Sequence, residues 1–324
     1  MYRRTPLKIR KAIKRVARMF GYDIVGRKVV KINSGLSEDS LPGDFYSVIP
    51  SAVDLKKYKH KIFSKKAGVY PVDLNTESQI ITLNAFRDMK EESPFYAQEK
   101  RTRFNIENLS FSYDDAPILH YMMRMIRPKR IIEIGSGNSS ACMLDTSERY
   151  LDDQVKFTFI DINCQNLRKN LFDNDFERID IIEQPVQEVD ICLFRSLQAN
   201  DMLFVDSSHV MKAGSDLSTI IFDILTILAP GVVIHFHDVR YPFQYEENLV
   251  LNGAFWNEAY ILRAFLMYNN TFEIIFWLNY LVNNVAHPNE TLSFLPLSDW
   301  SRRFNSNSQD FSGAGGSIYI RKKP

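Results

Sequence analysis

The stretch that most constrains this chain is residues 130–143, Arg-Ile-Ile-Glu-Ile-Gly-Ser-Gly-Asn-Ser-Ser-Ala-Cys-Met. Ile131, Ile132 and Ile134 make a short β-branched run, which predicts a strand covered on both faces of a parallel sheet. Gly135 and Gly137 end that strand, and Ser139 to Leu144 reads as the opening of a helix. A strand, a glycine turn and a helix start bring backbone close to a ligand, with free N–H groups aimed at it. Such a junction suits a nucleotide-type cofactor. A dinucleotide fold asks for Gly-x-Gly-x-x-Gly and an acid about 20 residues further on. Here Ser140 stands at the third glycine position, and Glu133 precedes the first glycine inside the strand. The next predicted strand, 157–160, ends on Asp161, placed to accept hydrogen bonds from ribose hydroxyls.

The elements around this junction alternate. A helix is predicted over 115–126, with Ile118, Leu119, Met122, Met123 and Ile126 on one face and Pro128 just beyond it. Before it, Phe111 to Asp115 is aromatic and polar at once: a lid over the cofactor or plain core, with Phe111 and Tyr113 as the residues in question. A helical stretch through Leu167 and Leu171 leads to a third strand, 179–182, followed by Gln184 to Glu188. The fourth strand, 202–205, ends in Asp206-Ser207-Ser208-His209. A helix over 217–228 buries Leu217, Ile220, Ile221, Ile224 and Leu228, and Pro230-Gly231 stops it. The fifth strand, 232–236, ends in His237-Asp238. A helix over 256–267, a strand over 272–277 and a last strand over 316–321, entered through Gly315-Gly316, complete the pattern. The Asn- and Ser-rich segment 283–315 reads as a surface excursion beside the site. Strands alternating with helices predict a doubly wound α/β fold, in which ligands bind at the carboxyl ends of strands. Glu133, Asp161, Asp206, His209, His237 and Asp238 all fall at or near those ends.

Glu133-Ile134-Gly135-Ser136-Gly137 with an acid closing the next strand resembles the class I S-adenosylmethionine-dependent methyltransferases, over roughly residues 100–324. The resemblance implies a Rossmann-like, mostly parallel seven-stranded sheet whose last strand runs antiparallel. It also implies S-adenosyl-L-methionine held by Glu133, Gly135, Ser136, Gly137, Ser139, Asp161 and Asp206, with Gln187 near the adenine ring.

Methyl transfer from a sulfonium needs little acid chemistry at the donor, which is already a good leaving group. The demand falls on the acceptor, which must be held in line and lose its proton. A hydroxyl is a weak nucleophile at neutral pH. A divalent cation lowers its pKa and orients it, while a nearby histidine takes the proton. Carboxylates ending adjacent strands suit a hard cation, and Asp206-x-x-His209 places a base one turn beyond a ligand. This resembles the metal-dependent O-methyltransferases that act on sugar hydroxyls, such as the mycinamicin macrolide-sugar enzymes. It is most similar to a bacterial group associated with surface-polysaccharide genes, which carries Val-Asp-Ser-Ser-His-Val and Ile-His-x-His-Asp. The resemblance implies His209 as base and Asp206, His237 and Asp238 around Mg²⁺ or Mn²⁺. One departure stands out: the pair after the fifth strand is His237-Asp238, not two carboxylates. Either His237 is a ligand, favouring Mn²⁺ or Fe²⁺ over Mg²⁺, or the metal is lost. His235, deeper on the same strand, reads as a core histidine, and Tyr241, Pro242, Phe243 and Tyr245 as an acceptor-binding loop.

Composition narrows the alternatives. A net charge of +1 gives no global electrostatic footprint for nucleic acid. Cys142, Cys164 and Cys192 lack metal-type pairing and read as reduced core thiols of a cytoplasmic protein. No apolar run reaches the ~18 residues of a membrane span. Two organisational regions are expected: an N-terminal extension, 1–98, and a methyltransferase domain, 99–324. The extension opens with a basic amphipathic helix in which Ile9, Ile13, Val16, Ala17 and Phe20 share a face among arginines and lysines. Residues 1–20 could meet an anionic membrane surface, but packing on the protein itself or on a partner subunit is favoured. Residues 32–98 show turn signals without periodicity. The expected function is O-methylation of a glycan or another hydroxylated small molecule. The alternatives are a nucleic-acid methyltransferase and a binding protein that holds S-adenosylmethionine without catalysis; oligomerisation stays open.

Overall fold

The computed structural model describes residues 42–64, 68–89, 102–106, 108, 110–111, 115–285 and 315–324. The basic helix expected near the N-terminus, Tyr113 and residues 286–314 of the surface excursion lie outside the described residues. The chain forms two compact units, Met1–Ile62 and Phe63–Pro324. The boundary expected at residue 98 falls inside the second unit. In the first unit, helix α1 (Ala52–Lys57) is capped by Ser51, whose hydroxyl accepts from the Val53 and Asp54 amides, and α2 (Lys59–Ile62) follows.

The second unit is built on one sheet. Its strands are β1 (Arg130–Ile134), β2 (Lys156–Asp161), β3 (Ile179–Glu183), β4 (Met202–Val205), β5 (Val233–Phe236), β6 (Phe272–Trp277) and β7 (Ile318–Lys322), in the order β3-β2-β1-β4-β5-β7-β6. The first five pair in parallel, and β7 runs antiparallel between β5 and β6. The order reverses between β1 and β4, so the connections leaving their carboxyl ends run in opposite directions and open the crevice where doubly wound sheets bind ligands. Every residue of β4 and β5 is buried, which is why β4 is apolar throughout and β5 departs from that only at His235.

Helices cover the sheet. They are α3 (Thr76–Asp88), α4 (Asp115–Ile126), α5 (Asn138–Tyr150), α6 (Gln165–Asn170), α8 (Glu247–Leu251), α9 (Glu258–Leu266) and α10 (Leu278–Asn284). Between α6 and α8, α7 runs through Asp216–Thr219, a π turn at Ile220–Ile224, and Leu225–Ile227. The expected helix over 217–228 is therefore interrupted, yet Leu217, Ile220, Ile221, Ile224 and Leu228 are all buried, as is Leu225. Burial of α4 is wider than one face: Ala116 to Met123 and Ile126 are all inside. The aperiodic region before residue 98 contains α3, which belongs to this unit. Its Gln79 side chain accepts the Trp277 amide at 2.7 Å and donates to the Leu74 carbonyl at 2.5 Å. Phe86 stacks on Tyr121 at 5.4 Å and meets Phe276 at 4.9 Å.

Candidate active site

The glycine turn is shaped by what presses on it. Gly135 has φ +84°, and a Cβ there would lie 1.9 Å from the Asp206 carbonyl oxygen. Only glycine fits a positive φ with another backbone that close. Its amide donates to Ile160, and the Asp206 amide donates to Ile134, so the ends of β1, β2 and β4 are stitched together.

Glu133 and Asp161 brace this turn from opposite sides. Glu133 is fully buried in β1, and its two carboxyl oxygens accept from the Ser139 and Ser140 hydroxyls at the start of α5. Burial raises its pKa to about 8 against the opposing help of the two serines. Glu133 therefore spends its hydrogen bonds on the helix start, as does Ser139. Asp161 accepts from the Ser136 amide at 2.9 Å and the Asn163 amide at 2.8 Å, one on each oxygen. Each carboxylate oxygen has a second lone pair, so Asp161 can also take a ligand hydroxyl.

A cavity of about 510 Å³ opens along these strand ends, lined by Gly135, Asp161, Gln187, Asp206 and Lys212, among others. Its volume and position suit a cofactor with a base, a ribose and a charged tail. Gln187 reaches across it to donate to the Gly214 carbonyl at 2.9 Å.

At the β4 end of the cavity the sequence-distant residues converge. His209 Nε2 lies 3.4 Å from Asp206 Oδ1 and 3.6 Å from Asp238 Oδ2. Its other nitrogen, Nδ1, is 2.6 Å from Glu258 Oε2. His209 (φ +59°) and Asp238 (φ +56°) both occupy the left-handed region, an uncommon conformation that costs a non-glycine residue about 1–2 kcal/mol. Two such residues facing each other mark a place where geometry outranks local comfort. Burial alone would lower the His209 pKa, but the Asp206 and Glu258 carboxylates outweigh it and hold the value near 10. Burial likewise raises Glu258, with His209 opposing, and would raise Asp238, which His237 and His209 instead pull down.

His237 sits beneath this cluster, 6% exposed. Nδ1 is 3.7 Å from Asp206 Oδ1 and 3.6 Å from Asp238 Oδ2, and Nε2 is 3.5 Å from Asp115 Oδ2. Neither nitrogen completes a hydrogen bond. Burial would lower its pKa, but the surrounding carboxylates of Asp115, Asp238 and Asp206 raise it well above the ordinary value. Asp115, at the head of α4, also accepts from the Gly316 amide and from the Ser317 amide and hydroxyl, clamping the entry to β7.

The donor set fits a divalent cation. Ligand atoms of Asp206, His209 and Asp238 lie within 4.8 Å of one another, so the two aspartates could share a divalent cation with the imidazole of either His209 or His237. His237 is turned partly toward Asp115, yet its unpartnered Nδ1 still faces both aspartates.

Other expectations change. Phe243 and Tyr245 are buried at 2% and 5%, so they form core and not an open acceptor loop; Phe243 packs on Trp277. Trp256, half-buried, places its ring 4.4 Å from His209 and is the aromatic beside the reactive cluster. Phe111 is also core, with its ring 5.4 Å from His237. His235 is a core histidine as expected: fully buried, stacked on Phe204 at 3.8 Å and bonded to the Ser317 hydroxyl at 2.8 Å. Cys142 and Cys164 are buried free thiols, but Cys192 is exposed. Glu258, Asp115 and Trp256 were not assigned to the site from the sequence.

Among the described residues, no helix is long and apolar enough to cross a membrane. Residues 132–239 match the model of a family described as a methyltransferase domain. An uncharacterized protein of Archaeoglobus fulgidus is 29% identical over 165 residues, spanning 49% of this chain and 74% of its own. Among solved structures, the chain is similar to the SAH-bound methyltransferase PaMTH1 of Podospora anserina at 15% identity and TM-score 0.39, covering 80% of this chain and 100% of that one. It is also similar to the O-methyltransferase TomG of Streptomyces achromogenes in complex with SAM, at 15% identity and TM-score 0.37, covering 84% and 96%. The matched residues span β1 to β5 and hold the glycine turn, both aspartates and the histidines of the cluster. Residues 132–239 thus match a methyltransferase domain, set on a seven-stranded sheet of this order.

Proposed function

We propose that the protein transfers the methyl group of S-adenosylmethionine to a hydroxyl of a glycan or a related hydroxylated small molecule. The observation that carries this reading is the convergence of His209, Asp206 and Asp238 at the rim of the cofactor cavity, which Asp206 also lines. A hydroxyl acceptor needs a group to take its proton at the moment of attack, and His209 Nε2 is the basic atom that faces this space. Trp256 beside it offers an aromatic face on which the apolar face of a sugar ring could rest.

Asp206 and Asp238, with the unpartnered Nδ1 of His237 behind them, are the donors that would hold a divalent cation while His209 stays available as base. Such a cation would acidify and orient the hydroxyl, and would cancel part of the negative field that keeps a proton on His209. The chain's own contribution is positional. The β4 and β5 ends fix the two carboxylates, and Glu133 and Asp161 hold the turn on which the donor lies.

The test is transfer of labelled methyl from S-adenosylmethionine to a panel of cell-surface oligosaccharides, with and without chelator. Transfer is expected, falling on chelation and returning with Mg²⁺ or Mn²⁺. His209→Ala is expected to lower kcat by roughly 10²–10⁴-fold with donor affinity nearly unchanged. Methyl transfer to RNA in preference to any glycan would refute the acceptor class, and a folded His209→Ala protein of normal kcat would refute the base.

A further inference from the structure

We propose that Glu258 is a positioning residue for the reaction: it takes the Nδ1 hydrogen of His209 and so turns Nε2 toward Asp206, Asp238 and the acceptor. This rests on the reading of His209 as the proton acceptor. Glu258 opens α9 and is 1% exposed, an expensive place for a carboxylate that has no task. Its Oε2 is 2.6 Å from His209 Nδ1, and its Oε1 accepts from the Ser207 hydroxyl at 3.3 Å. The Ser207 hydroxyl in turn accepts the His209 amide at 3.3 Å.

The start of α9 grips the backbone of the same loop. The Asn257 and Glu258 amides both donate to the His209 carbonyl, at 3.0 and 3.2 Å. The Asn257 side chain accepts the Met211 amide at 2.6 Å and donates to the Met211 carbonyl at 3.2 Å. These bonds hold His209 in its left-handed conformation and fix where the ring leaves the chain. Glu258 then fixes how the ring is turned, and Trp256 packs beside it at 4.4 Å. With Nδ1–H committed to Glu258, the proton gained and lost during catalysis is the one on Nε2. A carboxylate behind a histidine is a general way to set its tautomer and raise its basicity.

The test uses the full chain bound to S-adenosylhomocysteine, with ¹⁵N-labelled histidine and the His209 ring signals assigned by their loss in His209→Gln. Above the pH at which the ring gives up its second proton, Nδ1 is expected to read as the hydrogen-bearing nitrogen in the parent. Glu258→Gln, which keeps an acceptor oxygen in place, should preserve that pattern. Glu258→Leu, which fills the volume without an acceptor, should release it and let the hydrogen move to Nε2. Turnover of labelled donor should fall about 10–100-fold in Glu258→Leu and recover largely in Glu258→Gln, with S-adenosylhomocysteine affinity unchanged in both. A merely structural glutamate would lower thermal stability without moving the ring signals.

The proposal is overturned by a hydrogen on Nε2 and not Nδ1 in the parent, a result that does not depend on whether Glu258→Leu folds. It is also overturned by unchanged ring signals in a folded Glu258→Leu protein. Normal turnover by His209→Gln is a different failure: it removes the base reading and leaves the ring geometry to be judged by the spectra. Where His209→Gln is inactive, normal turnover by Glu258→Leu overturns the proposal.

Discussion

Glu133→Gln isolates the electrostatics of the cofactor turn. Burial holds the Glu133 pKa near 8, against an ordinary value of 4.5. The folded protein therefore binds a proton that the unfolded chain releases across this interval. Stability from this group is fully present below pH 4.5 and is lost as pH rises toward 8 and beyond. The slope is about −1.4 kcal/mol per pH unit, and the whole interval amounts to about 5 kcal/mol. Glutamine keeps the shape and the neutral state at every pH, so it should match the parent in acid and gain on it in base. For a unit of this size 1 kcal/mol moves Tm by about 2 °C, so the Tm difference should open by roughly 10 °C between the acid and alkaline ends. Thermal melts of both proteins across that range give the difference directly, and groups that titrate alike in the two cancel. A Tm difference that stays flat with pH would refute the argument, because it would mean that Glu133 is ionised in the fold throughout.

Three further outcomes follow from the same geometry. Gly135→Ala should lose about 1–2 kcal/mol from the positive φ alone and more from pushing away the Asp206 carbonyl; melting and S-adenosylhomocysteine calorimetry should fall together. Asp161→Ala frees the Ser136 amide and removes an acceptor from the cavity, so S-adenosylhomocysteine binding should weaken by about 1–3 kcal/mol, read by calorimetry. Arg103 is buried and donates to Asp145, Glu148 and Asp175; Arg103→Ala should cost about 3–5 kcal/mol by leaving buried carboxylates uncompensated, seen as a lower denaturation midpoint.

What was legible in the sequence followed from burial on both sides. Met202 to Val205 and Phe272 to Trp277 could be bounded to the residue because a strand sealed between helices tolerates little but apolar side chains. The strand-end rule then located Asp161, Asp206, His209 and Asp238 without any knowledge of distances, since topology alone brings carboxyl ends together. The acceptor side was harder. Tyr241 to Tyr245 looked like an open aromatic loop, but Phe243 and Tyr245 are spent on packing against Trp277, Trp256 and Tyr260. Composition cannot separate an aromatic that awaits a ligand from one that fills the core. In α3, Gln79, Leu83 and Phe86 do fall at helical spacing, but a polar residue on the buried face blurred the pattern.

Glu258 shows where a stricter reading would have succeeded. Glu258, Leu262 and Leu266 recur every four residues, and Ala259 lies beside them, so helical periodicity already puts this glutamate on the buried face of α9. A buried carboxylate without a partner is costly enough that its position demands a cation or a donor. Of the candidate donors at the strand ends, histidine is the one that both satisfies the charge and profits from it. The residue 49 positions upstream that answers the demand is His209. Neither residue could be assigned from its own neighbours: His209 alone is an ambiguous strand-end histidine, and Glu258 alone is an ordinary first-turn acid. Their roles become definite only as a pair, because each removes the cost of burying the other.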